Sequence, residues 1–265
     1  MTDPAGRIAG AGMGEARFGA LWPGAAESLA AVGVEEETDL IGLDAADLLR
    51  RLAGADGRPM PPEAEARLAA LIARVGAKVP GPVRIDGPRV RLRPWRSADV
   101  RAIGEGINGD PVAMRHFVAP LTGAENEAWC LRMRRGIEER GWGFWVVEVP
   151  GVAEAAGVVG LLPISFESWF TPAVEIGWRI RNDLQRRGYA GEAARLALDH
   201  GFGLLGLERV VAFTAPENTA SWTLMERLGM RRVGDFEHPR VPEGHRLRTQ
   251  LLYEVRRGEW LSRKG

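Results

Sequence analysis

The stretch VEIGWRIRNDLQRRGYAGEAARLALDHGF, residues 174 to 202, restricts the possible folds more than any other part of the chain. It opens with strand-type alternation over Val174 to Ile180 and passes through a short arginine-rich loop. At Gly188-Tyr189-Ala190-Gly191 it turns into a helix whose inner face is Ala190, Ala194, Ala197 and Gly201. The turn has the makings of an anion site. Small residues let the backbone approach a ligand, the N–H groups of a helix start point outward unpaired, and the helix dipole favours negative charge. A diphosphate would fit, and Arg186 and Arg187 would add forked donors beside it.

The rest of the chain reads as two units. The first twenty or so residues, rich in Gly and Ala without periodicity, read as a loose terminus. A short helix is expected from Pro23 to Val32, stopped by Gly33. A second is expected with Asp44 as N-cap and Leu43 and Leu48 as a staple, ending at Gly54. A third starts at Pro61-Pro62, with Leu68, Leu71, Ile72 and Val75 on one face before Gly76. The segment VPGPVRIDGP, 79 to 88, has the composition of a domain boundary, dividing an all-helical unit (1–80) from a mixed one (81–265).

In the second unit, strands are expected at Arg89 to Arg93, Phe144 to Val149, Val158 to Leu162, Val174 to Ile180, Arg209 to Phe213, Arg231 to Asp235 and Gln250 to Val255. Helices are expected after Ser97, after a Thr122/Glu125 capping box, from Tyr189 to Leu204, and from Asn218 to Leu228 with Gly229 closing it. Strands interleaved with helices in this way give a mixed α/β sheet.

Charge and rare residues narrow the function. Basic and acidic residues number 35 each, which removes the electrostatic footprint of a nonspecific nucleic-acid binder. With one cysteine, Cys130, and four histidines scattered at 116, 200, 238 and 245, neither an internal disulfide nor a zinc-ligand spacing appears. No run approaches the ~18 apolar residues of a membrane span, and the start lacks a signal pattern, so a cytoplasmic protein is expected.

The segment Gln185-Arg186-Arg187-Gly188-Tyr189-Ala190 matches the (Q/R)-x-x-G-x-(G/A) pattern of the GNAT superfamily of acyl-CoA-dependent N-acetyltransferases. The flanking EIGWRI and GEAARLALDHGF, the later APENTASWTLMERLGMRRVGDF and the opening VRLRPWRSADV stand in the order of that family. The chain therefore resembles it over about residues 85 to 256, and most resembles the branch with ribosomal-protein N-terminal acetyltransferases. The resemblance implies a mostly antiparallel central sheet flanked by helices, acetyl-CoA as co-substrate, no metal, and a primary amine acceptor, either a protein N-terminus or a small molecule.

Carried onto this sequence, the resemblance gives the backbone of Trp178, Arg179 and Ile180 to the pantetheine arm. The N–H groups of Arg186, Arg187, Gly188, Tyr189, Ala190 and Gly191 go to the diphosphate, and Asn218 goes to the pantetheine or a water. Ser221 is positioned to protonate the departing thiolate; where other branches have a general-acid tyrosine, this chain has Met225. The reaction is attack of a neutral amine on the thioester, with an oxyanion that a strand N–H would stabilise by roughly 10²- to 10³-fold. Glu175 and His238 are the candidate bases, with Glu237 and His245 as further options.

Each residue also has a plainer reading. Asn218 is a good helix N-cap, Ser221 a solvated first-turn serine, Glu175 a strand residue paired with an arginine, His200 a packing residue and Cys130 a small buried hydrophobe. Trp142, Trp145 and Trp178 read as core. Trp169 and Phe170, if exposed, would be a pocket wall or an oligomer contact; otherwise they fold back onto the sheet.

The stretch LWPGAAESLAAVGVEEETDLIGLDAADLLRRL resembles helix-hairpin-helix domains, including the carboxyl-terminal domain of TfoX proteins. Residues 1 to 80 hold eight basic against twelve acidic residues, with Glu35-Glu36-Glu37 at the hinge, so a protein-contact or intradomain role is expected rather than DNA binding. A non-catalytic acyl-CoA sensor or DNA-associated regulator is the rival to the enzyme reading.

Overall fold

The computed structural model describes residues 18–35, 37–40, 43, 45–56, 61–76 and 84–263. The expected N-cap Asp44 and residues 79–83 of the boundary segment lie outside these. The helices of the first unit are α1 (Ala25–Ala31), α2 (Ala45–Asp56) and α3 (Pro62–Gly76). Their apolar stripes bury Leu29, Leu48, Leu52, Leu68, Leu71 and Ile72 as the spacing predicts. Phe18 and Leu21 belong to this core too. The expectation of a loose terminus over the first twenty or so residues fails at Phe18, which is buried in this core.

Eight strands form one sheet: β1 (Ile85–Asp86), β2 (Arg91–Arg93), β3 (Phe144–Val149), β4 (Ala153–Pro163), β5 (Val174–Ile180), β6 (Arg209–Thr214), β7 (Arg231–Glu237) and β8 (Thr249–Arg256), in spatial order β1-β2-β3-β4-β5-β6-β8-β7. Every neighbouring pair is antiparallel except β5 with β6. The helices are α4 (Ser97–Ile103), α5 (Gly123–Arg140), α6 (Tyr189–Gly203), α7 (Thr219–Arg227) and α8 (Arg257–Leu261). Between α4 and α5 the chain widens into a π-turn at Gly104–Asn108.

Two helix starts illustrate how local chemistry was and was not sufficient. At α5 the Thr122 side chain accepts from Glu125 N–H, and the Glu125 carboxylate accepts from Thr122 N–H at 2.8 Å, the reciprocal box expected from the sequence. At α4 Ser97 is the first helical residue, not its cap. Its N–H and hydroxyl donate to Asp39, which precedes α2 in the chain and is 1% exposed. Asp39 also accepts from Glu35 N–H and faces Arg134 of α5 at 3.5 Å. One buried carboxylate thus joins the amino-terminal segment to both helices flanking the π-turn, and the buried apolar residues of that segment are continuous with those under the sheet.

Candidate functional site

The parallel pairing of β5 with β6 is short, joining Val174 to Val210 and Glu175 to Val211. Beyond Glu175 the strands part: β6 goes on pairing with β8 as far as Thr214, and β5 goes on pairing with β4 as far as Ile180. A fork opens between them. Arg181 N–H donates to Ala156 O on β4, so in the antiparallel register the backbone groups of odd-numbered β5 residues face β4. Those of Trp178 and Ile180 then face the fork. The Arg179 backbone faces β4 opposite Val158, so of the three residues assigned to the pantetheine arm, Trp178 and Ile180 offer backbone groups there.

The strand leads out of the fork into the glycine turn. Gln185 Nε2 donates to Ile180 O at 3.0 Å and ties the turn to the strand end. Arg186 takes a positive φ of 62° and Gly188 one of 85°, which turns the backbone sharply over 186 to 188 just before α6 begins at Tyr189. Glu192 N–H closes the first turn onto Gly188 O, leaving the N–H groups ahead of it directed out of the helix start. Arg186, Arg187 and Gly188 are exposed, Tyr189 and Ala190 are half-buried, and Gly191 is buried with Leu224 of α7 against the place of its missing Cβ.

A brace that sequence reading missed holds this turn. Arg89 donates to Glu192 at 2.7 Å through Nε and to Arg187 O through Nη1, and its guanidinium lies 5.5 Å from the Tyr189 ring centre. Glu192 also accepts from the N–H groups of Arg89 and Val90. Nothing in the spacing of residues 89 and 192 marks them as partners.

Asn218 is the N-cap of α7: its side chain accepts from Ser221 N–H at 3.4 Å and donates to Thr214 Oγ1 at 2.9 Å. The Ser221 side chain sits one turn into α7 and is half-buried. Met225 is buried core, 2% exposed, and supplies no proton.

The candidate bases separate by environment. Glu237 is exposed, accepting from Thr249 Oγ1 and paired with Arg248, and His245 accepts from Leu247 N–H in a turn. His238 lies among Phe166, Phe213 and Phe236, with ring centres 4.9, 5.6 and 6.0 Å away. Burial and the neighbouring Arg240 push its pKa down, so it is neutral near pH 7. Glu175 stands at the apex of the fork. Desolvation pushes its carboxyl up to about 7, against the opposing pull of Arg240 and Arg179.

Of the remaining residues singled out from the sequence, Trp145 is fully buried, and Trp142 and Trp178 pack partly buried against the core. Phe170 is buried while Trp169 is 63% exposed and lies over Gly234 of β7, so the two do not form an exposed pair. Cys130 is buried and its thiol is pushed up to about 12 by that burial. His200 is buried edge-on against Trp145, and burial lowers its pKa. Among the described residues no group of His, Cys, Asp and Glu could hold a metal ion, and no helix is long and apolar enough to cross a membrane.

The model of the acetyltransferase (GNAT) domain family matches residues 89–231, more than half of the chain. The chain belongs to the GNAT family. The mixed sheet with flanking helices is the GNAT fold. A GNAT-family acetyltransferase of Bacillus anthracis superposes with a TM-score of 0.55 at 25% identity, covering 66% of this chain and 99% of the other. Among curated relatives, the uncharacterised N-acetyltransferase YnaD of Bacillus subtilis is 38% identical over 86 residues, 32% of this chain and 50% of YnaD, so the matched part spans half of that relative. Spermidine N(1)-acetyltransferase of Escherichia coli K12 is 28% identical over 151 residues, 56% of this chain and 76% of the relative. GNAT acetyltransferases use acetyl-CoA, and the turn at 186 to 191 suits its diphosphate: outward N–H groups, a helix N-terminus, and a left-handed glycine where a side chain would intrude.

Proposed function

We propose that this GNAT domain transfers an acetyl group from acetyl-CoA to a primary amine by direct attack in a ternary complex. The observation that carries the proposal is the fork between β5 and β6, with the glycine turn at one end and Glu175 at its apex. The Arg186 to Gly191 turn would hold the diphosphate, and the pantetheine would lie along the Trp178 and Ile180 backbone. The Trp178 N–H would stabilise the oxyanion. The amine nitrogen forms a bond to the thioester carbonyl carbon and gives a proton to the Glu175 carboxylate. Collapse breaks the C–S bond, and the thiolate takes a proton from Ser221 or water. A carboxyl titrating near 7 suits this work at neutral pH.

The acceptor is a protein α-amine, as in the ribosomal-protein branch, or a small-molecule amine. We read residues 1–80 as an accessory helix-hairpin-helix-like unit whose contact through Asp39 favours an intradomain role, residues 81–265 as the catalytic unit, and the whole as cytoplasmic. Buried Met225 in place of an acid favours the rival reading of a sensor that binds acyl-CoA without turnover. Release of free thiol from acetyl-CoA over an amine panel tests the two: amine-dependent release supports the enzyme, and tight binding without release on any amine overturns it.

A further inference from the structure

The acceptor side of the fork holds a cation that the transfer chemistry does not use. Arg179 is four residues from Glu175 on β5, so the two side chains share a face. Its guanidinium carbon lies 4.3 Å from the Phe117 ring centre and 4.7 Å from that of Trp129. Nη1 donates to Asn108 Oδ1 at 2.8 Å, and buried Asn108 is in turn fixed to Asn126. The plane and one edge of the guanidinium are thereby set. The other edge, where Nε and Nη2 point the same way, has no acceptor among the described residues, and no carboxylate closes on it.

Arg93 shows what a satisfied buried arginine looks like in this fold. Its donors reach Asp99, Glu148 and the carbonyls of Pro94 and Glu154. Arg179 lacks such partners, and its desolvation lowers its pKa to about 10, still high enough to keep it charged at pH 7. A desolvated cation with a free fork is stabilised by whatever anion arrives there.

The surrounding charges point the same way. Arg240, held by the Ser165 carbonyl and hydroxyl and 5.9 Å from the Phe166 ring centre, is the other cation acting on Glu175. His238 is neutral, and Glu175 is only partly ionised at pH 7. Two arginines therefore act on a single carboxyl whose ionisation burial opposes, and a further cation such as a polyamine would gain little there.

We infer that the acceptor is a small amine that itself bears a carboxylate, as an amino acid does, and that the open Nε/Nη2 edge of Arg179 binds that carboxylate while the amine faces Glu175. This rests on reading the fork as the transfer site. The Phe117 and Trp129 rings pack on the same guanidinium and would lie beside the carbon skeleton of an acceptor bound there.

The test offers the whole chain, with acetyl-CoA, a set of amino acids each paired with its amide, together with O-phosphoethanolamine and spermidine, and follows thiol release. CoA affinity is measured in parallel by calorimetry. Amino acids should exceed their amides about 10- to 100-fold in kcat/KM, the range of a lost hydrogen-bonded charge contact. Arg179→Met should erase that preference through KM while holding CoA affinity within about threefold, and Arg179→Lys, which keeps the charge without the fork, should restore only part of it. Equal or better use of amides, spermidine or the phosphate-bearing amine by the native protein overturns the inference, as does failure to acetylate any carboxylate-bearing amine. That comparison needs no variant to fold. In each of those cases CoA still binds; loss of CoA binding by the native protein instead overturns the reading of the fork itself.

Discussion

The two sides of the fork are built from different material. The side assigned to acetyl-CoA is backbone: N–H groups of a helix start, a left-handed glycine, and the unpaired edge of β5. The side proposed for the acceptor is made of side chains brought from far apart, with Glu175 and Arg179 on β5, Asn108 at the end of the π-turn, Phe117 after it, Trp129 on α5, and His238 and Arg240 after β7. Backbone chemistry is the same whatever the residue, so it can serve an invariant ligand. Side chains can be exchanged, so they suit the ligand that varies within a family.

The sharpest way to break this contrast is to put a side chain where the backbone should act. Gly188→Glu should lower acetyl-CoA affinity by more than about 100-fold in calorimetry. A carboxylate would occupy the place of the diphosphate, and its φ of 85° costs an L-residue about 1–2 kcal/mol. Gly188→Ala separates the two effects, since it carries the strain without the charge and should lose far less affinity. Thermal unfolding of both variants distinguishes a blocked site from a disrupted fold.

On the other side, Glu175→Gln should leave acetyl-CoA affinity nearly intact and reduce kcat by about 10²- to 10⁴-fold. A base at Glu175 would work only when deprotonated, so the proposal expects the native rate to rise with pH through about 7 and level off above it. The variant should lose that rise. An unchanged pH profile would remove Glu175 from the chemistry and return His238 to consideration.

Smaller effects are expected at α7. Asn218→Ala removes the bond to Ser221 N–H and should cost about 1 kcal/mol of stability, read by denaturant unfolding. Ser221→Ala keeps the cap and should change kcat by less than about tenfold, because water can protonate a thiolate. A larger drop would make Ser221 the acid that Met225 cannot be.

The same contrast explains what could be read in advance. The turn from β5 into α6, the Thr122 and Glu125 box, and the glycine that ends α7 depend on residues a few positions apart, where sequence spacing and geometry are nearly the same information. Glu175 was legible as a charged residue in an apolar strand, though its raised pKa comes from three-dimensional burial. The side chain of Arg179 was not legible as a binding group, because its partners lie at 108, 117 and 129 and meet only when the π-turn and α5 cover the sheet. Ser97 misled for a similar reason: a serine before a helical pattern looks like a cap, but Arg96 holds the cap position and Ser97 N–H donates to buried Asp39, 58 positions earlier.

A crystal structure of the protein with CoA bound would show directly whether the glycine turn holds the pyrophosphate. The pyrophosphate oxygens are expected within hydrogen-bond reach of the N–H groups between Arg186 and Gly191, and the pantetheine along Trp178 and Ile180 with its sulfur near Glu175. A nucleotide bound away from that turn, or a fork closed by renewed pairing of β5 with β6, would contradict that expectation.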